Sequence, residues 1–405
     1  VSSSDLVPPS TGTPGTGSRV LYASAAAGSG AAHIEQPVAY DGVLLAGFGG
    51  PEGQEDVIPF LRNVTRGRGI PDERLEEVAH HYRHFGGVSP INAQNRQLKA
   101  ALEAELARRG LDLPVYWGNR NWAPYLDDAV KDAANAGDTT LLAIATSAYS
   151  SFSSCRQYRE DFARCLTDTG LGETVTIDKV RQFFDHPGFV AAFVAGVSDA
   201  VRGFLDEGVA AERIRVLFST HSVPLADAQR SGPRDVDFGP GGAYAAQHEA
   251  VGAYVMAQVA AQIPEAVDCG WELVFQSRSG PASQPWLEPD VCDVIAELPS
   301  RGVEAVAVVP LGFVSDHMEV LWDLDTEALD AAGAAGLKAV RTPTPGVDPA
   351  YVAGLVDLVE ERLRGTAASA RPHVTDLGPW FDVCRPGCCE NVRAGFKPAA
   401  AGLAP

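Results

Sequence analysis

Val303-Glu-Ala-Val-Ala-Val-Val-Pro-Leu-Gly-Phe-Val-Ser-Asp-His-Met-Glu-Val-Leu-Trp-Asp-Leu-Asp-Thr-Glu327 decides how this chain is read. A β-branched apolar run ends in a Gly-containing loop, then Ser315-Asp316-His317, then acids at Glu319, Asp323 and Glu327. A buried strand followed by a helix has this pattern. Four-residue spacing on a helix stacks the three acids on one face, a ladder leading away from the loop. Like charges at that spacing destabilise a helix by a few tenths of a kcal/mol per pair. Cation handling or proton traffic offsets that cost in one reading; a solvated acidic face needs no such compensation and is the plainer one.

Working outward, the same plan recurs. Gly42-Val-Leu-Leu-Ala-Gly-Phe-Gly-Gly-Pro51, Pro114-Val-Tyr-Trp-Gly-Asn-Arg-Asn-Trp-Ala-Pro124 and Thr139-Thr-Leu-Leu-Ala-Ile-Ala-Thr-Ser-Ala-Tyr149 read as strands opening into loops. Arg213-Ile-Arg-Val-Leu-Phe-Ser-Thr-His-Ser-Val-Pro224 and Trp271-Glu-Leu-Val-Phe-Gln-Ser-Arg-Ser-Gly280 repeat the theme before the Val303 strand. The middle strand of each half delivers an arginine, Arg120 or Arg278, followed by a Trp, a Pro and a helix start. Strands alternating with helical stretches predict an α/β fold of two Rossmann-like halves, each with a parallel sheet flanked by helices. Ligands in such sheets bind outside the carboxyl ends of the strands. Ser219, Thr220, His221 and Ser315, Asp316, His317 are therefore expected at one mouth, a cleft between the halves; a duplicated architecture without a ligand site is the alternative.

The loops lack common nucleotide signatures. In Gly47-Phe-Gly-Gly-Pro-Glu-Gly53, Pro51 removes a backbone donor and Glu52 repels pyrophosphate, and no phosphate-loop Lys precedes a Ser or Thr. No Ser sits in an α/β-hydrolase elbow. The formal charge of -20 argues against nucleic acid and against anionic lipid. No apolar run in the sequence is read as reaching the ~18–20 residues that cross a bilayer, so no stable membrane insertion and a cytoplasmic location are expected. Residues 1–39, rich in Ser, Gly, Pro, Thr and Ala, read as a disordered extension. Two halves at 40–180 and 181–345, a closing helix at 346–365 and a cysteine-bearing extension at 366–405 complete the expected organisation.

Among candidate site residues, His221 follows directly on an apolar strand and can exchange protons near neutral pH. A hydrogen-bonded core histidine is the competing reading. Acids arriving at the same mouth from the Val303 strand favour proton removal coupled to divalent-cation handling. Val64-Thr-Arg-Gly-Arg-Gly-Ile70 and His80-His-Tyr-Arg-His-Phe-Gly-Gly-Val-Ser-Pro90 concentrate basic and aromatic residues in an acidic protein. Either this is solvated surface, or Arg66, Arg68 and Ser89 meet the carboxylates of a flat ligand whose face lies on apolar or aromatic walls.

Phe218-Ser-Thr-His-Ser-Val-Pro224, Ser315-Asp-His-Met-Glu-Val-Leu-Trp-Asp-Leu-Asp325, Tyr82 through Gly86-Gly-Val-Ser-Pro-Ile91, and Phe275-Gln-Ser-Arg278 together resemble the ferrochelatases, over about residues 40 to 365. The resemblance implies a chelatase-like fold with four-stranded sheets and a porphyrin in the cleft, and ATP-independent insertion of Fe2+. It implies His221 and Glu319 as the catalytic pair, with Asp323 and Glu327 continuing the iron path. His221 then accepts protons or touches the metal, and Glu319 acts from the opposite wall. Phe48, Arg66, Arg68, Tyr82 and Ser89 become the porphyrin contacts. Phe48 stands where some bacterial members carry a tyrosine, and a phenyl ring cannot coordinate a metal.

Some members of the family hold a 2Fe–2S cluster on one internal and three C-terminal cysteines, which implies Cys155, Cys384, Cys388 and Cys389 here, though the Cys-Arg-Pro-Gly-Cys-Cys spacing is tighter than in animal members. Four-cysteine zinc is the runner-up. The cysteine arrangement resembles actinobacterial members, implying coproporphyrin III as substrate, protoporphyrin IX as the alternative, and other haem-pathway enzymes as partners. A non-catalytic haem or iron carrier and a cobalt-inserting relative are the rivals.

Overall fold

The computed structural model describes residues 32–67, 69–279, 283–390 and 397–402. The first half runs β1 (Gly42–Gly47), α1 (Val57–Val64), α2 (Asp72–His84), α3 (Ile91–Arg108), β2 (Val115–Asn119), α4 (Leu126–Ala136), β3 (Thr140–Ala145), α5 (Gln157–Asp168) and β4 (Thr176–Lys179). After α6 (Pro187–Asp206), the second half runs β5 (Ile214–His221), α7 (Leu225–Ala228), α8 (Gly242–Gln262), β6 (Gly270–Gln276), α9 (Val291–Glu297), β7 (Ala305–Val309), α10 (Met318–Trp322), α11 (Leu329–Ala334) and β8 (Lys338–Arg341). The long helix α12 (Pro349–Arg364) follows.

The apolar runs become the centres of two four-stranded sheets, ordered β2-β1-β3-β4 and β6-β5-β7-β8. Every neighbouring pair is parallel. Strands covered on both faces must be apolar throughout, and β1 and β7 are buried at every residue. Register sets Leu44 beside Ala143 in the first sheet and Val216 beside Ala307 in the second. The expected arrangement of two α/β halves, each with a parallel four-stranded sheet, is therefore present.

One core is continuous between the halves: it joins Val43 and Leu45 of β1 to Val216 and Phe218 of β5 through α6. Contrary to the sequence expectation, α6 is long and apolar enough to cross a membrane by length and composition alone. Its Phe189, Phe193, Val197 and Val201 are spent on this shared core instead.

Helix α12 returns to the first half. Asp348 caps it by accepting from Ala350 N and Tyr351 N, and Gly365 ends it at φ 62 against Pro37, where a side chain would collide. Arg362 ties it to Asp178 of β4 at 2.8 Å. Disorder was expected as far as residue 39, yet residues 32–39 are tied to the folded chain at two points, with Ile34 buried. Ile34 N donates to Asp382 Oδ2 at 2.8 Å, and Val38 N donates to Arg362 O at 3.1 Å. Their order comes from backbone partners distant in sequence, which local composition does not reveal. The remainder of that extension, residues 1–31, lies outside the described residues.

Candidate active site

β5 and β7 are adjacent in one sheet, so the residues after their carboxyl ends emerge side by side. Gly312 lets the loop after β7 lie on β5, because a Cβ there would fall 2.0 Å from Thr220 Oγ1. His317 then caps α10, its Nδ1 accepting from Glu319 N at 3.2 Å, which sets Glu319 in the first turn. His221 Nε2 meets Glu319 Oε1 at 3.5 Å. This corrects one expectation: Glu319 does not face His221 from the opposite wall. Both belong to the second half and touch, because neighbouring parallel strands deliver their loops to the same edge.

His221 and Glu319 are only partly buried, with side chains 33% and 47% exposed. Burial pulls the His221 pKa down, but the Glu319 charge and hydrogen bonds to Glu319 and Ser222 O outweigh it and lift the value to about 9. Burial pushes Glu319 up, and the His221 charge and hydrogen bond reverse this, holding it at about 2. The resting pair is an imidazolium–carboxylate ion pair at neutral pH. Asp323 goes the other way: burial, then the Glu319 charge, raise it to about 7.

The acids do not form the even α-helical ladder anticipated. From Asp323 to Ala328 the helix widens into a π turn, a device that re-aims side chains and is frequent at functional sites. Each acid is held separately. Gln276 Nε2 donates to Glu319 O at 3.0 Å and Asp323 Oδ2 at 3.3 Å, and Ser277 Oγ also donates to Asp323. Ser277 sits at φ 62, an uncommon backbone for a non-glycine residue. Trp322 Nε1 donates to Glu327 Oε1 at 2.9 Å.

The first half supplies the facing wall. Phe48, after β1, meets Phe60 edge-on with ring centres 6.4 Å apart, and Phe60 meets Tyr82 at 5.7 Å. Burial raises the Tyr82 pKa, and the charges of Glu319 and Asp323 raise it further. His81 stacks on Trp322 with ring centres 4.0 Å apart, and His80 and His84 meet the same indole edge-on. Gln94 Oε1 accepts from Asp316 N at 2.9 Å. Arg66 is exposed, donating to Asn63, whereas Ser89 is buried against Gly50. Arg68 lies outside the described residues. Arg120 is paired with Asp161, and Arg278 with Glu288. Sequence reasoning missed the bridging roles of Gln94, His81 and Trp322; only the histidine concentration hinted at one of them.

Cys155 lies in a π turn, Phe152–Arg156, capped by Ser151. It is buried, as are Cys384, Cys388 and Cys389. Cys388 Sγ is 3.7 Å from Cys389 Sγ. Hydrogen bonds from Cys155 and then Cys388 hold the Cys384 thiol well below its usual pKa, so the thiols form one connected group. Burial opposes the charge of nearby Arg159, which the four sulfurs favour. Among the described residues, no three or more His, Cys, Asp or Glu side chains are arranged around a single metal ion. Cys165 and Cys292 belong to other core clusters.

The ferrochelatase family model matches residues 40–363. The coproporphyrin III ferrochelatase of Leifsonia xyli subsp. xyli is 64% identical over 95% of this chain and 100% of its own length. That of Tropheryma whipplei strain Twist is 54% identical over 96% and 98%. Among solved structures, SirB from Bacillus subtilis with Fe3+ aligns over 83% of this chain and 100% of its own, with a TM-score of 0.46 and 12% identity.

Proposed function

The chain belongs to the ferrochelatase family, and on that premise we propose that it inserts Fe2+ into coproporphyrin III to give coprohaem through the His221–Glu319 pair. The contact that carries this reading is His221 Nε2 to Glu319 Oε1, 3.5 Å, at adjoining strand ends. Insertion exchanges two pyrrole protons for one dication. In the resting pair His221 already holds a proton, so it is not yet a base. A dication arriving on the Glu319 carboxylate cancels the charge that keeps His221 protonated. The imidazolium then releases its proton to solvent, accepts one pyrrole proton, passes it to solvent and accepts the second in the same way. Asp323, with a pKa of about 7, is suited to carry protons or the cation along the same path, and Glu327 extends it. Phe48 and Tyr82 supply an aromatic wall for the macrocycle, and binding energy there can bend the ring so that its nitrogens face the pair.

The substrate is supported by the names of relatives at 64% and 54% identity. Anaerobic turnover with Fe2+ tests it directly. Coproporphyrin III should be metallated faster than protoporphyrin IX. An equal or reversed preference overturns the substrate, and binding of either porphyrin without metallation would mean a carrier.

The cysteine group fits a 2Fe–2S cluster better than a single zinc ion. A cluster takes its thiolates in pairs on two irons, which suits the close Cys388–Cys389 pair beside the connected Cys155 and Cys384. When bound, such a cluster supplies a covalent clamp between the tail and the first half; insertion itself transfers no electrons. Cys389→Ser should abolish the visible absorption of the anaerobically purified protein, and an unchanged iron–sulfur spectrum would remove that ligand. All seven cysteines are unbridged, in keeping with a reducing, cytoplasmic setting.

A further inference from the structure

His221 does not hold its own position. Its backbone carbonyl accepts a hydrogen bond from the buried Tyr244 hydroxyl at 2.9 Å, and Thr220 Oγ1 lies 2.7 Å from the same phenol oxygen. The phenol has one proton and gives it to the carbonyl, so Thr220 is the donor to the phenol. Gly312 packs on the same Thr220. The end of β5 is thus clamped between α8 and the loop that leads to Glu319.

Tyr244 is braced in turn from two directions. Its backbone N donates to Ser231 Oγ at 2.9 Å, and Ala243 N donates to Ser231 O at 3.3 Å. The residues flanking Ser231 hold the cysteine tail: Gly232 N donates to Cys389 Sγ at 3.2 Å, and Cys389 N donates to Arg230 O at 3.2 Å. One turn further along α8, His248 Nδ1 donates to Tyr244 O at 2.7 Å, and its ring stacks on Tyr149 with centres 3.5 Å apart. Gln247 exchanges two hydrogen bonds with Ser150, at 2.8 and 3.0 Å. Tyr149 and Ser150 lead directly into the turn that carries Cys155. Both sides of the cysteine site therefore seat the first turns of α8, and α8 seats His221.

We propose that Tyr244 is a positioning residue for iron insertion, and that the first turns of α8 transmit the integrity of the cysteine site to the His221 strand end. This rests on the reading of His221 as part of the reacting pair. Neither Tyr244 nor its bracing partners need touch the porphyrin, so their loss should appear in kcat rather than in KM.

Tyr244→Phe keeps the ring and removes the hydroxyl. Loss of one such bond should lower kcat on the order of tenfold, with KM for the porphyrin within about twofold of wild type. Cys389→Ser should lower kcat in the same way. The double variant should be no slower than the slower single one, because both act along one path. A fully multiplicative loss in the double variant would overturn the transmission, and an unchanged kcat in Tyr244→Phe would overturn the positioning role. If Tyr244→Phe does not fold, Thr220→Val reads the same split from the other side of the phenol oxygen, and an unchanged kcat there counts equally against the positioning role. His221→Ala is run in parallel: activity in that variant means the reading of the pair has failed, whereas an inactive His221→Ala beside an unaffected Tyr244→Phe defeats only this inference.

Discussion

His221→Ala is expected to lower the rate of Fe2+ insertion by about 10²–10⁴-fold, the usual contribution of a positioned general acid or base, while leaving the fold intact. The imidazole is one-third exposed, at the end of β5 and outside the apolar core, so its removal opens little cavity. The loss is chemical. Without the imidazolium, burial at Glu319 is opposed only by the smaller contribution of His317, and the acid becomes easier to protonate. The signs agree on the working range. The raised histidine stabilises the native pair fully below its unfolded value near 6.5 and loses that contribution as pH rises through about 9. The depressed carboxyl contributes above about 4.5 and loses its contribution as pH falls through about 2. The ion pair is therefore intact around neutral pH. Stopped assays with the purified variant, beside a circular dichroism spectrum, check both halves of the expectation. Near-normal turnover would remove His221 from the reaction.

Asp382→Ala is expected to cost about 3–5 kcal/mol of stability, the range for stranding one partner of a buried ion pair. Arg371 and Asp382 have side chains 0% and 1% exposed and meet at 2.6 Å. Arg371 also donates to Ile34 O and Thr366 O, and Asp382 accepts from Ile34 N. Removing the carboxylate leaves a guanidinium buried without that counter-charge and leaves Ile34 N without its acceptor. Urea unfolding of the two proteins, with equal slopes, measures the difference. A shift below about 1 kcal/mol would mean that the neighbouring Glu361, 3.9 Å from Arg371, takes over the charge, as a surface-like pair would allow.

The two central strands of each sheet were legible because strands buried on both faces must be apolar along their whole length, as Val303–Val309 and Gly42–Gly47 are. His221 and Glu319 were legible as candidates because polar residues closing such strands gather at one edge of a parallel sheet. What local pattern cannot contain is which strands are neighbours. That β5 lies beside β7 decides that histidine and carboxylate share a wall and touch, and the facing wall comes instead from Phe48 and Tyr82. The π turn after Trp322, the Gln94–Asp316 bond and the stacking of His81 on Trp322 are likewise pairings between distant elements, with no local spacing to announce them.

By itself, then, the order of residues determined an α/β chain in two parallel-sheeted halves, the candidate proton-exchanging histidine with its following acids, and the crowding of Cys384, Cys388 and Cys389 near the C-terminal end, since each follows from residue type and short-range period; Cys155 joined that group only through the family resemblance. Tertiary structure alone decided the ionisation of the pair, the bracing of β5 by Tyr244 and the anchoring of residues 32–39. Those depend on burial and on distances across the core, and both are created only when segments far apart in the chain are brought together.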